Sequence, residues 1–272
     1  MRSAALQFDV RRGEVDANLA RLRRGLERAR EGSVELVLLP EMWPTSFPDA
    51  DVDLAREVAR NEHAVETLAE LSRSFGIVLA GSAFAAGAPG EPPRNRLTVF
   101  AHGERVLVYD KVHLFSPTAE TEVFSAGDAP PPTIELGGAR VSGIVCYDLR
   151  FPELWHRPFA DGVELLLVPA QWPSPRSTHF RALVHGVAAA NQCFVLACNR
   201  TGRETVGRRE LVLDFPGNSL IVAPSGETLA EGTGEDGLLV ADIDLELARD
   251  LKRRVPLSKD RRAELYARWR VS

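Results

Sequence analysis

One cysteine, Cys146, stands where a predicted buried strand turns into a predicted helix. Residues 141–145 are small or β-branched, and Pro152 suits the first turn of a helix, where its missing N–H costs nothing. A cysteine at such a turn lies at the C-terminal end of the strand, where open α/β sheets bind ligands. The backbone N–H groups after it can face an oxyanion. Because most free cysteines are small buried hydrophobes, Cys146 alone is weak evidence for a nucleophile.

A repeated segment singles out Glu41 as a second candidate. Residues 34–44 reappear as residues 163–173 with seven of eleven positions identical, but Ala170 replaces Glu41 in the second copy. A carboxylate beyond a fully apolar strand is costly to bury, and the second copy indicates that the fold does not need it there. Chance likeness between two buried parallel strands is the alternative interpretation. We therefore predict a functional role for Glu41.

Lys111 completes a set of three groups that each follow the end of a predicted strand. A thiol needs a base to become a nucleophile, and a carboxylate can serve because burial raises the pKa of such a group. An ammonium beside the reacting carbonyl stabilises the tetrahedral oxyanion and favours the thiolate. Glu41, Lys111 and Cys146 therefore predict acyl transfer without histidine. His113, close to Lys111 in sequence, is as readily explained by a structural role.

The predicted elements place these groups in two similar halves. Strand–helix–strand units begin at Ser3 and at Val141, and each closes on one copy of the repeat. Right-handed crossovers in both halves would give two sheets packed face to face with helices outside. The pattern predicts strands at 3–8, 34–39, 77–84, 95–100, 105–109, 133–136, 141–145, 163–168, 194–197, 219–223 and 238–243. It predicts a helix capped by Asp16 and ended by Gly32, helices from Asn61 to Phe75 and from Pro152 to about Ala160, and one from a cap at Ser177 or Thr178 to Asn191.

The last part of the chain has weaker patterns. Residues 224–227 are predicted as a turn that joins the last two strands. Residues 245–272 are charged and predicted helical in places, with a break at Pro256. Apolar side chains in this tail are left for a partner surface: Leu257, Leu265 and Trp269.

Composition limits the class of protein. The 272 residues are 44% hydrophobic and 26% charged, which is typical of a soluble globular protein, and the formal net charge of −5 gives no reason to expect nucleic acid as a partner. Three cysteines without a CxxC pair predict neither a disulfide framework nor a zinc site, and we expect no metal and no cofactor. Without a signal-peptide core or a run of roughly 18 apolar residues, we expect a cytoplasmic protein with no membrane partner.

Three ordered blocks resemble the signature blocks of the nitrilase (carbon–nitrogen hydrolase) superfamily. They are Pro40-Glu41-Met42, residues 109–115 and residues 143–154, and the likeness extends from Ala5 to about Asp244. The resemblance implies an α/β fold, a four-layer αββα sandwich of two packed mixed sheets with pseudo-twofold halves. It also implies a single carbon–nitrogen hydrolase domain over residues 1–272 that forms a homodimer or a higher homo-oligomer, with the tail on a partner subunit.

The resemblance also assigns roles to the candidate residues. Glu41 corresponds to the general base, Lys111 to the oxyanion stabiliser and Cys146 to the nucleophile of the family. A second glutamate of the family often holds the lysine and lies nine residues past it, which here is Glu120. From the residues alone, Glu122 is an equal alternative.

Within the superfamily, residues 109–115, 146–154 and 172–177 look most like the omega-amidases. Those enzymes hydrolyse the side-chain amide of 2-oxo dicarboxylate monoamides such as 2-oxoglutaramate. Two departures leave the substrate open. Residues 187–190 lack a charged pair that the family often has, and Ser46 stands where the family has glycine in a Thr-Gly-aromatic turn.

We expect a small-molecule amide and water as reactants. The oxyanion would be held by Lys111 and the backbone N–H of Tyr147, Trp172 would wall the pocket, and Arg176 would pair with a substrate carboxylate unless it is a surface arginine. The alternative enzymes are amidases of the same superfamily acting on an N-carbamoyl amino acid or on deaminated glutathione. A non-catalytic binding or scaffold protein on the same fold is disfavoured, because all the expected catalytic residues are present.

Overall fold

Two six-stranded mixed sheets pack face to face, and helices cover their outer faces. The computed structural model describes residues 1–48, 52–118, 120–206 and 211–269. The strands are β1 Arg2–Gln7, β2 Leu36–Leu38, β3 Val78–Ala85, β4 Arg94–Ala101, β5 Glu104–Asp110, β6 Ile134–Leu136, β7 Ala139–Gly143, β8 Leu165–Ala170, β9 Phe194–Asn199, β10 Thr201–Val206, β11 Leu211–Pro216, β12 Leu220–Val222, β13 Thr228–Glu231 and β14 Gly237–Asp242. The helices are α1 Val15–Glu31, α2 Leu54–Phe75, α3 Glu120–Val123, α4 Pro152–Ala160, α5 Ser177–Asn191, α6 Leu245–Arg254, α7 Leu257–Asp260 and α8 Ala263–Tyr266.

The two sheets repeat one topology. The first has the order β14-β1-β2-β3-β4-β5 and the second, read from the corresponding edge, β6-β7-β8-β9-β12-β13. In both, the second, third and fourth strands are parallel, and the strands on either side are antiparallel to them. The repeated sequence segments lie on β2 and β8, which occupy the same third place. The predicted αββα sandwich with pseudo-twofold halves is therefore confirmed.

Strand β2 shows how the layers are built. Leu36 and Leu38 belong to the core between the sheets, whereas Val37 and Leu39 pack with Leu26 of α1 in the outer layer. Side chains alternate between the two faces of a strand, so a strand covered on both faces reads as an uninterrupted apolar run. This burial holds the end of β2, and the polar residues after it, in a defined place.

Two helix starts differ from the predictions. Helix α1 begins at Val15, so Asp16 lies in its first turn and is not its cap. Helix α2 begins at Leu54, where the Asp53 side chain accepts hydrogen bonds from two backbone N–H groups. The predicted start at Asn61 was too late because the early turns of α2 bury polar side chains, Asn61 among them, which obscure the apolar period.

The second half contains three further corrections. Helix α5 begins at Ser177 itself after Arg176, so neither Ser177 nor Thr178 is its cap. The hairpin β10–β11 was not predicted, and it forms a separate two-stranded sheet. The turn at 224–227 joins β12 to β13, whereas β14 crosses to the other sheet and pairs with β1.

The tail begins by packing on its own chain. Arg249 of α6 donates to Glu164 Oε1 at 2.6 Å, and Lys252 Nζ donates to the Gly162 carbonyl at 3.1 Å. Farther on, Trp269 is 57% exposed. Packing of this end on a partner subunit stays a prediction. None of the helices in the described ranges is long and apolar enough to cross a lipid bilayer.

Candidate active site

Glu41, Lys111 and Cys146 converge from the ends of three strands. Lys111 follows β5 directly, and Glu41 and Cys146 each lie three residues beyond their strands, β2 and β7. All three side chains are buried, with 0%, 1% and 8% exposure for Glu41, Lys111 and Cys146. The two sheets thus bring together residues that are far apart in sequence, and Glu120, the first residue of α3, joins them.

Lys111 lies between two carboxylates. Its Nζ donates to Glu41 Oε1 at 2.9 Å and to both carboxylate oxygens of Glu120 at 2.8 Å. Burial alone would lower the pKa of Lys111, but the charges of Glu120 and Glu41 raise it well above its usual value. The two carboxylates therefore favour the charged form of the amine. Glu120 also accepts the Phe115 N–H at 2.6 Å, whereas Glu122 is exposed, so Glu120 is the glutamate that holds the lysine.

Asn95 of β4 is a member of this cluster that the sequence reasoning missed. Its Nδ2 donates to Glu41 Oε1 at 2.9 Å and to Glu120 Oε1 at 3.3 Å. Its backbone carbonyl accepts the Lys111 N–H at 2.9 Å. The sequence signal was an asparagine, a poor strand former, at the start of a predicted strand.

Cys146 sits on a strained turn that a buried carboxylate holds. Its φ is +47°, in the left-handed region that residues other than glycine rarely adopt, and it starts a 3-10 turn that runs to Arg150. Asp148 Oδ2 accepts the Val145 N–H at 3.2 Å and the Tyr109 hydroxyl at 2.8 Å. Asp148 Oδ1 accepts the His113 N–H at 2.8 Å. This arrangement fixes the turn at Cys146, and it gives His113 a structural contact outside the cluster of Glu41, Lys111 and Cys146.

The surroundings of the Cys146 thiol favour its protonated form. Burial, and then the charge of Glu41, raise the pKa of Cys146 well above its usual value, whereas Lys111 acts in the opposite direction. Glu41 and Cys146 line the same pocket. Glu41 Oε2 also accepts the Gln171 backbone N–H at 3.0 Å. The arrangement suits removal of the thiol proton by Glu41 as the sulfur attacks a carbonyl carbon.

A pocket opens from Cys146 to the surface and contains about 640 Å³ of empty space, its mouth included. Trp172 forms part of its wall and donates from Nε1 to the Arg176 carbonyl at 2.9 Å. Tyr147 lines it beside Phe115, with the ring centroids 4.9 Å apart. The hairpin β10–β11 closes another side with Leu213 and Phe215, which the sequence analysis did not identify. The wall is mainly apolar and aromatic.

Two arginines lie at this pocket without a carboxylate partner among the described residues. The Arg176 guanidinium lies 5.0 Å from the ring centroid of Phe115, and that of Arg150 lies 4.9 Å from the Trp172 ring. Partial burial, and next the charge of Arg150, lower the pKa of Arg176. Arg150 was not among the predicted residues, although it lies four positions after Cys146. The pair offers two cations to an anionic ligand.

The two departures from the family pattern do not line the pocket. Ser46 has a φ of +59°, a backbone conformation that glycine adopts more readily, and its hydroxyl donates to Glu204 Oε2 at 2.7 Å. Residues 187–190 lie on α5, where Val187 and Ala188 are buried in the core. Among the described residues, the pocket wall includes none of these positions.

Comparisons with known proteins agree with this geometry. The family model described as carbon-nitrogen hydrolase matches residues 2–253. The 2-oxoglutaramate amidase of Bacillus subtilis (strain 168) is 33% identical over 264 residues, which cover 97% of this chain and 98% of that relative. The omega-amidase YafV of Escherichia coli (strain K12) is 31% identical over 249 residues, which cover 90% of this chain and 91% of that relative.

Solved structures similar to this chain are also amidases. The NitN amidase of Nesterenkonia sp. AN1 matches with a TM-score of 0.86 at 29% identity, over 99% of this chain and 99% of that one. In a Glu-to-Gln variant of that amidase, the acetamide moiety of fluoroacetamide is covalently attached to the active-site cysteine. The omega-amidase-like resemblance of the sequence is confirmed by these relatives. The chain belongs to the carbon–nitrogen hydrolase family.

Proposed function

We propose that the protein hydrolyses a small amide bearing a carboxylate, such as 2-oxoglutaramate, to the acid and ammonia through a thioester on Cys146. The observation that carries the proposal is the convergence of three buried side chains in one pocket, where the Glu41 carboxylate accepts from the Lys111 ammonium and its charge raises the pKa of the Cys146 thiol. Acyl transfer from an amide requires a base, a nucleophile and a cation close together, and Glu41, Cys146 and Lys111 can supply them.

Acylation gives each of these three groups a distinct role. Glu41 takes the Cys146 proton while the sulfur attacks the amide carbon, and a C–S bond forms. The negative charge moves to the carbonyl oxygen, where the Lys111 ammonium and the Tyr147 backbone N–H stabilise it. The C–N bond then breaks as Glu41 returns the proton to the leaving nitrogen, which departs as ammonia.

Deacylation repeats the sequence with water. Glu41 takes a proton from a water molecule that attacks the thioester carbon, and the same oxyanion site holds the new negative charge. The C–S bond breaks, the acid product forms, and the proton returns from Glu41 to the Cys146 sulfur. The enzyme is regenerated without any further reactant.

The pocket mouth supports a substrate with a carboxylate. Arg176 and Arg150 present cations beside apolar walls, and a planar guanidinium suits bidentate pairing with a carboxylate. An amide at Cys146 and a carboxylate at the mouth describe the two ends of a dicarboxylate monoamide. Relatives named 2-oxoglutaramate amidase and omega-amidase support this class, whereas N-carbamoyl amino acids and deaminated glutathione are the alternatives with the same charged group.

An ammonia-release panel tests the substrate class. It compares 2-oxoglutaramate, 2-oxosuccinamate, N-carbamoyl amino acids, butyramide and a simple nitrile, and hydrolysis of deaminated glutathione, which releases a dipeptide and no ammonia, is followed by the 2-oxoglutarate formed. We expect the highest kcat/KM with a 2-oxo dicarboxylate monoamide and a much lower value with butyramide, which lacks the carboxylate. A preference for butyramide, or for the nitrile, would contradict the proposed substrate class.

A further inference from the structure

Two carboxylates and one ammonium meet at a single buried point. Glu41 Oε1 and Glu120 Oε1 both accept from Lys111 Nζ, so three ionisable groups share one buried cluster. Buried charges require hydrogen bonds as well as a counter-ion, because little water is present to solvate them. The Asn95 side chain, which is 1% exposed, donates hydrogen bonds to both of these oxygens.

The orientation of the Asn95 amide follows from its neighbours. Its NH₂ group faces the oxygens of Glu41 and Glu120, and a flipped amide would place its own oxygen against two carboxylates. In the described part of the chain, the buried Asn95 Oδ1 has no hydrogen-bond partner. An orphaned buried oxygen is destabilising, so the site keeps this amide for its two N–H donors and not for its carbonyl.

We infer that Asn95 is a positioning residue that directs the Cys146 proton to one oxygen of Glu41. A carboxylate oxygen has two acceptor positions, and Lys111 and Asn95 fill both on Oε1. Within the described residues, Oε2 accepts one hydrogen bond, from the Gln171 backbone N–H, and its second acceptor position can take the thiol proton. This inference rests on the proposed function, in which Glu41 is the base.

The variants Asn95→Leu and Asn95→Asp separate positioning from packing. Asn95→Leu removes both donors at similar volume, and Asn95→Asp keeps the shape but places a carboxyl group against two others. Thr98→Val is the matched control, since Thr98 is also buried on β4 but on its other face. The readout is the rate at which a small haloacetamide alkylates Cys146, measured against pH together with the melting temperature.

For Asn95→Leu we expect alkylation at neutral pH to fall about 10- to 100-fold, the usual worth of hydrogen bonds to a charged group. The acid limb of the profile should also move to higher pH, because carboxylates that lose donors are protonated more readily. The titratable groups at this point are Glu41, Glu120, Lys111 and Cys146, so the limb reports the coupled set.

Asn95→Asp should move the acid limb of the alkylation profile further toward higher pH. If Asn95→Leu does not fold, the result for Asn95→Asp tests the inference by itself. An unchanged dependence of the alkylation rate on pH would overturn the inference. So would a lower melting temperature accompanied by the same fold-decrease in rate at every pH, because general destabilisation would explain it. Alkylation needs no natural substrate. Failure of the ammonia-release panel with a shifted alkylation profile would therefore refute the proposed substrate and not the role of Asn95.

Discussion

Lys111 Nζ lies 2.8 Å from both carboxylate oxygens of Glu120, and both residues are buried. This contact joins the end of β5 to the start of α3 and leaves the lysine able to reach Glu41 as well. The cation that is proposed to hold the oxyanion is therefore placed by a residue that is itself outside the proton transfer. The Glu120 carboxylate thus sets both the position and the charge of the Lys111 ammonium.

Replacing Glu120 by glutamine should damage both stability and rate. The buried cation would lose one of its two counter-ions and keep Glu41, and weaker hydrogen bonds to a charged group typically cost about 1–3 kcal/mol in the free energy of unfolding. We expect kcat to fall about 100-fold, since a misplaced transition-state donor costs that much. Glu122→Gln is the control, because Glu122 is exposed on the same helix. Equal effects of the two substitutions would contradict the assignment.

Tyr109→Phe tests how the turn at Cys146 is held in place. The Tyr109 hydroxyl donates to the buried Asp148 carboxylate, and burial followed by the charge of Asp148 raises the pKa of Tyr109. Loss of one donor to a buried charge should lower the free energy of unfolding by about 1–3 kcal/mol in chemical denaturation. The catalytic groups themselves are not touched, so the pH profile of the reaction should keep its shape. A shifted profile at unchanged stability would refute this structural role.

Much of the fold could be predicted because its signals are local. Residues 34–44 and 163–173 contain the apolar strands β2 and β8 and share the ending Trp-Pro, and the two strands occupy equivalent places in the two sheets. The same comparison made Glu41 conspicuous. The start of α2 was missed because Asn61 and Glu57 are polar and yet buried, so the apolar period of the helix is broken where it begins.

The rest of the site depends on contacts that no local pattern encodes. Asn95 is an ordinary polar residue until β4 places it between two glutamates. Leu213 and Phe215 reach the pocket from a hairpin whose neighbouring Leu211 and Val212 are exposed, so its pattern does not resemble a half-buried strand. Arg150 could have been suspected from its spacing to Cys146 alone, but its direction is set by the 3-10 turn.

Arg176→Gln and Arg150→Gln should separate substrate binding from chemistry. We expect KM for a carboxylate-bearing amide to rise about 10- to 100-fold, the worth of charge-assisted hydrogen bonds. Hydrolysis of butyramide, which has no carboxylate, should change little. Arg181→Gln is the matched control, since Arg181 lies on α5 and pairs with Glu231 outside the pocket. Equal losses on both substrates would remove the arginines from carboxylate recognition.

The protein should lose stability as the pH rises above about 8.5. Burial raises the pKa of Cys146 and Cys198 and raises that of Cys193 to about 12, so the folded chain keeps thiol protons that the unfolded chain releases. Fewer protons bound in the unfolded state make the free energy of unfolding fall with pH, by up to about 1.4 kcal/mol per unit for each thiol.

Denaturation midpoints measured between pH 7 and 10 check this slope. The Cys193 thiol lies outside the proposed catalytic set. Its replacement in Cys193→Ala should reduce the decline of the free energy of unfolding with pH by the contribution of one thiol, and the lost core packing should lower stability at every pH. A free energy of unfolding that does not decline up to pH 10 would show that the thiols are not held protonated by the fold.

The thioester on Cys146 is tested most directly by rapid quenching of the enzyme during turnover of 2-oxoglutaramate, followed by intact-mass and peptide analysis. We predict an adduct with the mass of the substrate less ammonia, located on Cys146 and absent from Cys146→Ala, which should release no ammonia above background. Ammonia release by Cys146→Ala at the wild-type rate, or an adduct on Cys193 or Cys198 instead, would contradict the proposed mechanism.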